Sequence, residues 1–152
     1  MGDLKMTERT GRCLCGAVTI RALEADDAVG ACHCSMCRRW GGGPFLEVEC
    51  GTDVEFSGEQ HIAVFESSDW AERGFCKRCG SHLFYRFKKT GRHGVPVGLF
   101  DNDAALSFQH QVFIDEKPEY YAFLNDTNNM TGPEVIAKYS HLVDDQAGRD
   151  ST

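Results

Sequence analysis

The sequence predicts a mainly β fold with little helix, and three observations carry that reading. Short segments in which apolar and polar residues alternate recur along most of the chain, the pattern of half-buried strands. Turn-rich stretches such as Lys89-Thr90-Gly91-Arg92 separate them. Helical signals are confined to one modest segment, 133–139, and to a single turn at 37–40 that the glycines and Pro44 would stop.

Residues 1–9 are polar and read as a flexible leader. The first strand is expected at 17–23 (AVTIRAL), the next at 45–50 (FLEVEC), with Gly51-Thr52-Asp53 turning the chain into Val54-Glu55-Phe56. Segment 61–66 (HIAVFE) follows, and 70–75 leads directly into a cysteine pair. Further strands are expected at 83–87 (LFYRF), 95–100 and 108–115, and 143–152 reads as a flexible tail. Residues 10–142 are thus expected to form a single domain, large enough to bury a real core.

Composition excludes several functions. With 152 residues, a formal charge of −7 and a pI near 5.3, the chain lacks the basic face of a nucleic-acid binder. The first ten residues contain no apolar run, and no window approaches a membrane-spanning length, so a cytoplasmic protein is expected. In that reducing setting eight cysteines point to metal or redox chemistry rather than a disulfide framework.

Seven of the eight cysteines fall into three tight groups. Cys13-Leu14-Cys15 is flanked by Gly11 and Gly16; an extended strand would hold residues i and i+2 roughly 6.5–7 Å apart, so a shared metal requires a turn or bulge there. Cys76-Lys77-Arg78-Cys79-Gly80 is a Cys-x-x-Cys knuckle whose backbone N–H groups can reach the sulfurs. Cys32-His33-Cys34-Ser35-Met36-Cys37 puts three thiols within six residues, which cannot all pair as disulfides but can converge on one zinc. The two flanking pairs would build a closed four-thiolate site and leave the trio with an open position. The rival assignment completes the trio with Cys50 or with a thiol from a flanking pair. Cys50 by itself reads as a buried small hydrophobe.

Several residues around these groups could take part in chemistry. His33 is either an acid/base or substrate-binding group or a ring packed behind the loop, whereas His82 and His110 read as structural. Arg38, Arg39, Lys77 and Arg78 could offset thiolate charge or hold carboxylates.

In Gly11-Arg12-Cys13-Leu14-Cys15-Gly16-Ala17-Val18, Cys32-His33-Cys34-Ser35-Met36-Cys37-Arg38 and Phe75-Cys76-Lys77-Arg78-Cys79-Gly80-Ser81 the chain resembles the glutathione-dependent formaldehyde-activating enzymes, or GFA-domain family. Gly98-Leu99-Phe100-Asp101 and Phe113-Ile114-Asp115-Glu116-Lys117-Pro118 extend the resemblance over roughly residues 10–121. It implies an Mss4-like fold of small zinc-pinned β-sheets. It also implies two zinc ions, a structural one on Cys13, Cys15, Cys76 and Cys79 and a catalytic one on Cys32, Cys34 and Cys37. The family reaction joins glutathione to formaldehyde, giving S-hydroxymethylglutathione. This chain has Tyr120 and Tyr121 where family members often carry Trp, and Trp40-Gly41-Gly42-Gly43 would shape its own pocket.

Three thiolates on one zinc ion leave a net charge of about −1, so carbonyl polarisation is a poor task for the metal and thiol binding a good one. The expected activity is therefore a carbon–sulfur lyase or thiol-adduct synthase, with glutathione sulfur taking the fourth position and a small aldehyde as its partner. The alternative is a non-catalytic, zinc-stabilised binding module of the same fold, which needs no open metal position. An exposed strand edge would support a homodimer.

Overall fold

A computed structural model describes residues 6–140. Among them the chain forms eleven strands: β1 (Met6–Arg12), β2 (Thr19–Asp26), β3 (Ala28–Cys32), β4 (Phe45–Gly51), β5 (Val54–Ser57), β6 (Ile62–Phe65), β7 (Ala71–Cys76), β8 (His82–Phe87), β9 (His93–Pro96), β10 (Ser107–Val112) and β11 (Asn128–Met130). Helix α1 (Ser35–Gly41) follows β3, and α2 (Gly132–Tyr139) follows β11. The protein is mostly β, as expected.

The strands make two sheets, one of three strands in the order β1-β2-β5 and one of eight in the order β11-β10-β3-β4-β9-β8-β7-β6. All pairings are antiparallel except those of β10, which runs parallel to both β3 and β11. The small sheet covers one face of the large one. Alternation on β2 sends Ile20 and Ala22 inward against Val29, Val48, Cys50, Val95 and Phe100, which form the main core. The opposite face, around Phe45 and Tyr85, receives α1 through Cys37 and Trp40.

The sequence reading of 1–9 as a leader needs correction, because Met6–Arg9 belong to β1. The inward positions of β1 are Arg9 and Gly11, so its buried face carries no apolar residue for periodicity to detect. Arg9 is buried and paired through both Nη atoms, while its Nε has no hydrogen-bond partner among the described residues. Its guanidinium meets the Asp27 carboxylate at 2.9 Å and donates to the carbonyls of Asn102 and Ala104, at 2.8 and 2.9 Å. Residues 1–5 of the expected leader and the whole expected tail lie outside the described residues.

β3 escaped the alternation pattern for a different reason. It lies between β10 and β4 and is buried along its whole length, so its residues (AVGAC) are small on both faces. A Cβ on Gly30 would meet His110 Nε2 at 2.1 Å, so the glycine makes room for that ring. The strand expected at 95–100 stops at Pro96 and becomes a 3-10 turn, Val97–Leu99. The strand expected at 108–115 ends at Val112, where Phe113 takes φ 55° and starts the turn Ile114–Glu116. No helix among the described residues is long and apolar enough to cross a membrane.

Candidate metal centres

The first centre is built by two turns far apart in the chain. After β1, Cys13 N–H donates to Val18 O at 3.0 Å, Gly16 N–H donates to Cys13 O at 3.0 Å, and Gly16 adopts φ 82°, which spares a side chain the strain of that conformation. After β7, Gly80 N–H donates to Cys76 O at 2.8 Å, with Gly80 at φ 81°. Leu14 N–H donates to Ser81 Oγ at 3.0 Å and ties the turns together.

The four sulfurs of Cys13, Cys15, Cys76 and Cys79 lie within 4.8 Å of one another. Cys13 and Cys15 sulfurs are 3.7 Å apart, and Cys15 and Cys76 sulfurs 3.9 Å. A tetrahedron with metal–sulfur bonds of about 2.3 Å has edges of about 3.8 Å, so this donor set fits a zinc-sized thiophilic ion. Backbone N–H groups of Val18 and Arg78 point at the sulfurs of Cys13 and Cys76, at 3.3 and 3.4 Å. Lys77 and Arg78 belong to this knuckle.

The second centre is local. Cys32 ends β3, Cys34 is the N-cap of α1, and Cys37 sits in the first turn of that helix. Their sulfurs also lie within 4.8 Å of one another, and among the described residues no fourth His, Cys, Asp or Glu joins the group. Cys50, the rival fourth ligand, stands outside both centres, buried in the main core with its thiol 3.5 Å from Val48 O. Cys32 and Cys37 are buried, whereas Cys34 is half-exposed, so the trio opens on one side. The neighbouring Cys32 and Cys37 thiols lower the Cys34 thiol below its ordinary value, and Cys37 N–H donates to its sulfur at 3.4 Å. All eight cysteines are free.

The family model described as glutathione-dependent formaldehyde-activating enzyme matches residues 8–116. The chain belongs to this family. An uncharacterized lyase of Schizosaccharomyces pombe is 34% identical over 132 residues, 86% of this chain and 96% of the relative. A crystal structure of a Rhodobacter sphaeroides protein superposes with a TM-score of 0.52 at 26% identity, covering 61% of this chain and 88% of the other.

In this family member, His33 is fully buried and both of its ring nitrogens are engaged. Nε2 donates to Gln111 Oε1 at 2.8 Å, which leaves Nδ1 to accept from Tyr121 Oη at 2.8 Å. Of the two sequence readings the packed ring is the one observed, and Tyr121 is its partner. His82 stacks on Trp40, and His110 lies against Gly30.

Three residues to which the sequence reading gave no role support the site. Glu116 Oε1 accepts from Ser35 N–H at 3.0 Å and fixes the start of α1. Gln111, at a buried position of β10, orients His33 and is itself held by Thr127 at 2.9 Å. Arg73, buried on β7, directs both Nη atoms at Cys37 Sγ at 3.7 Å. An arginine two residues ahead of the Phe75-Cys76 knuckle was the one available signal for it.

Arg38 Nε donates to His33 O at 2.9 Å. Its helix borders a groove of about 310 Å³ lined by Ser35, Arg38, Arg39, Gly42 and Tyr120. The groove thus carries two guanidinium groups on the helix that presents Cys34 and Cys37.

Proposed function

We propose that this chain is a zinc-dependent carbon–sulfur lyase or thiol-adduct synthase that joins glutathione, or a similar thiol, to formaldehyde or another small aldehyde. The observation that carries the reading is the unsaturated trio of Cys32, Cys34 and Cys37, half-open at Cys34 beside a groove lined by two arginines. Cys13, Cys15, Cys76 and Cys79 would hold a second, structural zinc. An ion bound by the trio would supply a site where a thiol is deprotonated and held as its thiolate.

The protein's own groups do the rest. Arg38 and Arg39 suit the carboxylates of a tripeptide thiol, since guanidinium can bind carboxylate through two parallel hydrogen bonds. His33, Gln111 and Tyr121 keep the Cys32–Cys34 loop in place. Glu116 does the same for the start of α1. In the synthetic direction a bond forms between the thiol sulfur and the carbonyl carbon, and the proton lost from the thiol ends on the carbonyl oxygen. No oxidant or reductant is needed, and the lyase direction is the same exchange reversed. The abundance of free thiols suits a reducing, cytoplasmic setting.

The test is turnover by the zinc-loaded protein with glutathione and formaldehyde, before and after Cys34→Ser. Loss of turnover with the four-thiolate metal retained is the expected result. Full turnover in the variant would remove the trio as the chemical centre, and a single inert zinc per chain would favour the binding module instead.

A further inference from the structure

Arg73 sits where a cation is costly. It is 3% exposed, on the face of the large sheet that α1 covers. A buried guanidinium needs a partner that compensates for lost hydration. Among the described residues it makes no ion pair with a carboxylate. Glu47, whose carboxyl feels Arg73, is pushed up to about 8 by burial and by the neighbouring Glu49, and so is mainly neutral at pH 7. The remaining partner is Cys37 Sγ, 3.7 Å from both Nη1 and Nη2.

The guanidinium is also clamped. Its central carbon lies 4.8 Å from the Trp40 ring centroid and 4.9 Å from that of Tyr85. Trp40 belongs to the same helix as Cys37, and Tyr85 is the cross-strand partner of Arg73 on β8. Aromatic faces fix both the position and the plane of the cation, and they add cation–π attraction without neutralising its charge. The full charge is therefore directed at the trio.

We infer that Arg73 is a positioning residue that sets the charge of the three-thiolate centre, holding Cys37 and allowing the centre to accept a fourth, anionic sulfur. This rests on the thiol-binding reading above. Three thiolates and a divalent ion carry about −1, and a fourth thiolate would bring the centre to about −2. In a partly buried site that second negative charge requires a nearby cation. Arg73 supplies one without occupying the open side at Cys34.

The test uses the full chain with cobalt(II) in the trio, titrated with glutathione and followed by sulfur-to-cobalt charge-transfer absorption. Arg73→Met is expected to weaken glutathione binding roughly 10–100-fold, the range for a lost partner of a metal ligand, with Arg73→Lys between it and the wild type. A folded variant is one that retains the metal of the four-thiolate centre. If Arg73→Met does not fold, Arg73→Lys decides alone, because it keeps a charge but lacks the planar fork. Glutathione affinity within about two-fold of wild type in a folded variant would overturn the inference, since a merely structural arginine would leave thiol affinity unmoved. If the wild-type centre binds no glutathione, the thiol reading fails by itself, and the Arg73 inference is then decided by cobalt affinity of the trio in competition with a chelator. A roughly 10–100-fold loss supports it, and an unchanged affinity refutes it.

Discussion

Trp40 and His82 stack face to face, with ring centroids 3.9 Å apart and planes inclined by 12°. The pair joins the helix that carries Cys37 to the strand that begins three residues after Cys79, so it links the two thiol centres. Removing the indole by Trp40→Ala would also uncover one face of Arg73. We expect a loss of about 2 kcal/mol in chemical denaturation, below the roughly 3–5 kcal/mol of a fully buried aromatic because Trp40 is half-buried. Chelators should then strip the trio more readily than in the wild type.

The two centres should differ in what their metal does for the fold. Structural zinc contributes an apparent 10–16 kcal/mol or so, comparable to or larger than the roughly 5–15 kcal/mol stability of a domain. Chelation is expected to empty the trio first with the strand signature in circular dichroism intact, and to unfold the chain only when the four-thiolate centre is emptied. Cys34→Ser should accumulate folded, and Cys76→Ser should not.

Gly11 admits no side chain. A Cβ there would lie 2.0 Å from Leu99 O and 2.9 Å from Phe100 Cα, both of them backbone atoms that cannot rotate away. We expect Gly11→Ala to cost about 2–3 kcal/mol in a urea titration, toward the upper end for overpacking, and to loosen Cys13 two residues on.

The buried histidines should make an acid-labile contribution to stability, opposite in sign to that of Glu47. The Glu47 carboxyl is raised to about 8 by burial and so binds its proton in the native state first. Burial lowers His33, His82, His93 and His110 below their ordinary value of 6.5. The unfolded chain then binds protons more readily than the native one, so this contribution to stability is complete above about pH 7 and is lost as the pH falls below 6.5. His93 lies away from both thiol centres, and its Nδ1 donates to Gly51 O at 3.1 Å, a bond asparagine can imitate. We expect His93→Asn to reduce the stability slope between pH 7 and 5 by up to about 1.4 kcal/mol per pH unit, read from urea midpoints.

Glu116 should matter through α1 alone. Glu116→Ala removes the carboxylate that receives Ser35 N–H, and a lost capping interaction costs about 1 kcal/mol. Thermal unfolding should show that loss while the metal content of the four-thiolate centre stays unchanged.

The parts of this fold that were legible in the sequence share one property: their chemistry is local. Cysteine spacing grouped the candidate ligands, because a shared ion demands short loops and glycines, and alternation exposed strands such as β2 and β4 that put unlike residues on their two faces. β1 and β3 were not legible. The first buries an arginine and a glycine, and the second is enclosed on both faces, so neither alternates in hydropathy. Arg73 and Gln111 were hidden for a related reason. A buried polar side chain declares itself only through its partner, and Cys37 is 36 residues from Arg73 while His33 is 78 from Gln111.

The unequal reach of the two thiol centres also bears on how the protein matures. On a nascent chain the trio of sulfurs is complete about forty residues of synthesis before Cys79 appears, when the four-cysteine group still lacks half of its sulfurs. A metal-binding trio would thus be available to an ion during synthesis before the quartet is, the reverse of the order in which the two groups secure the finished fold.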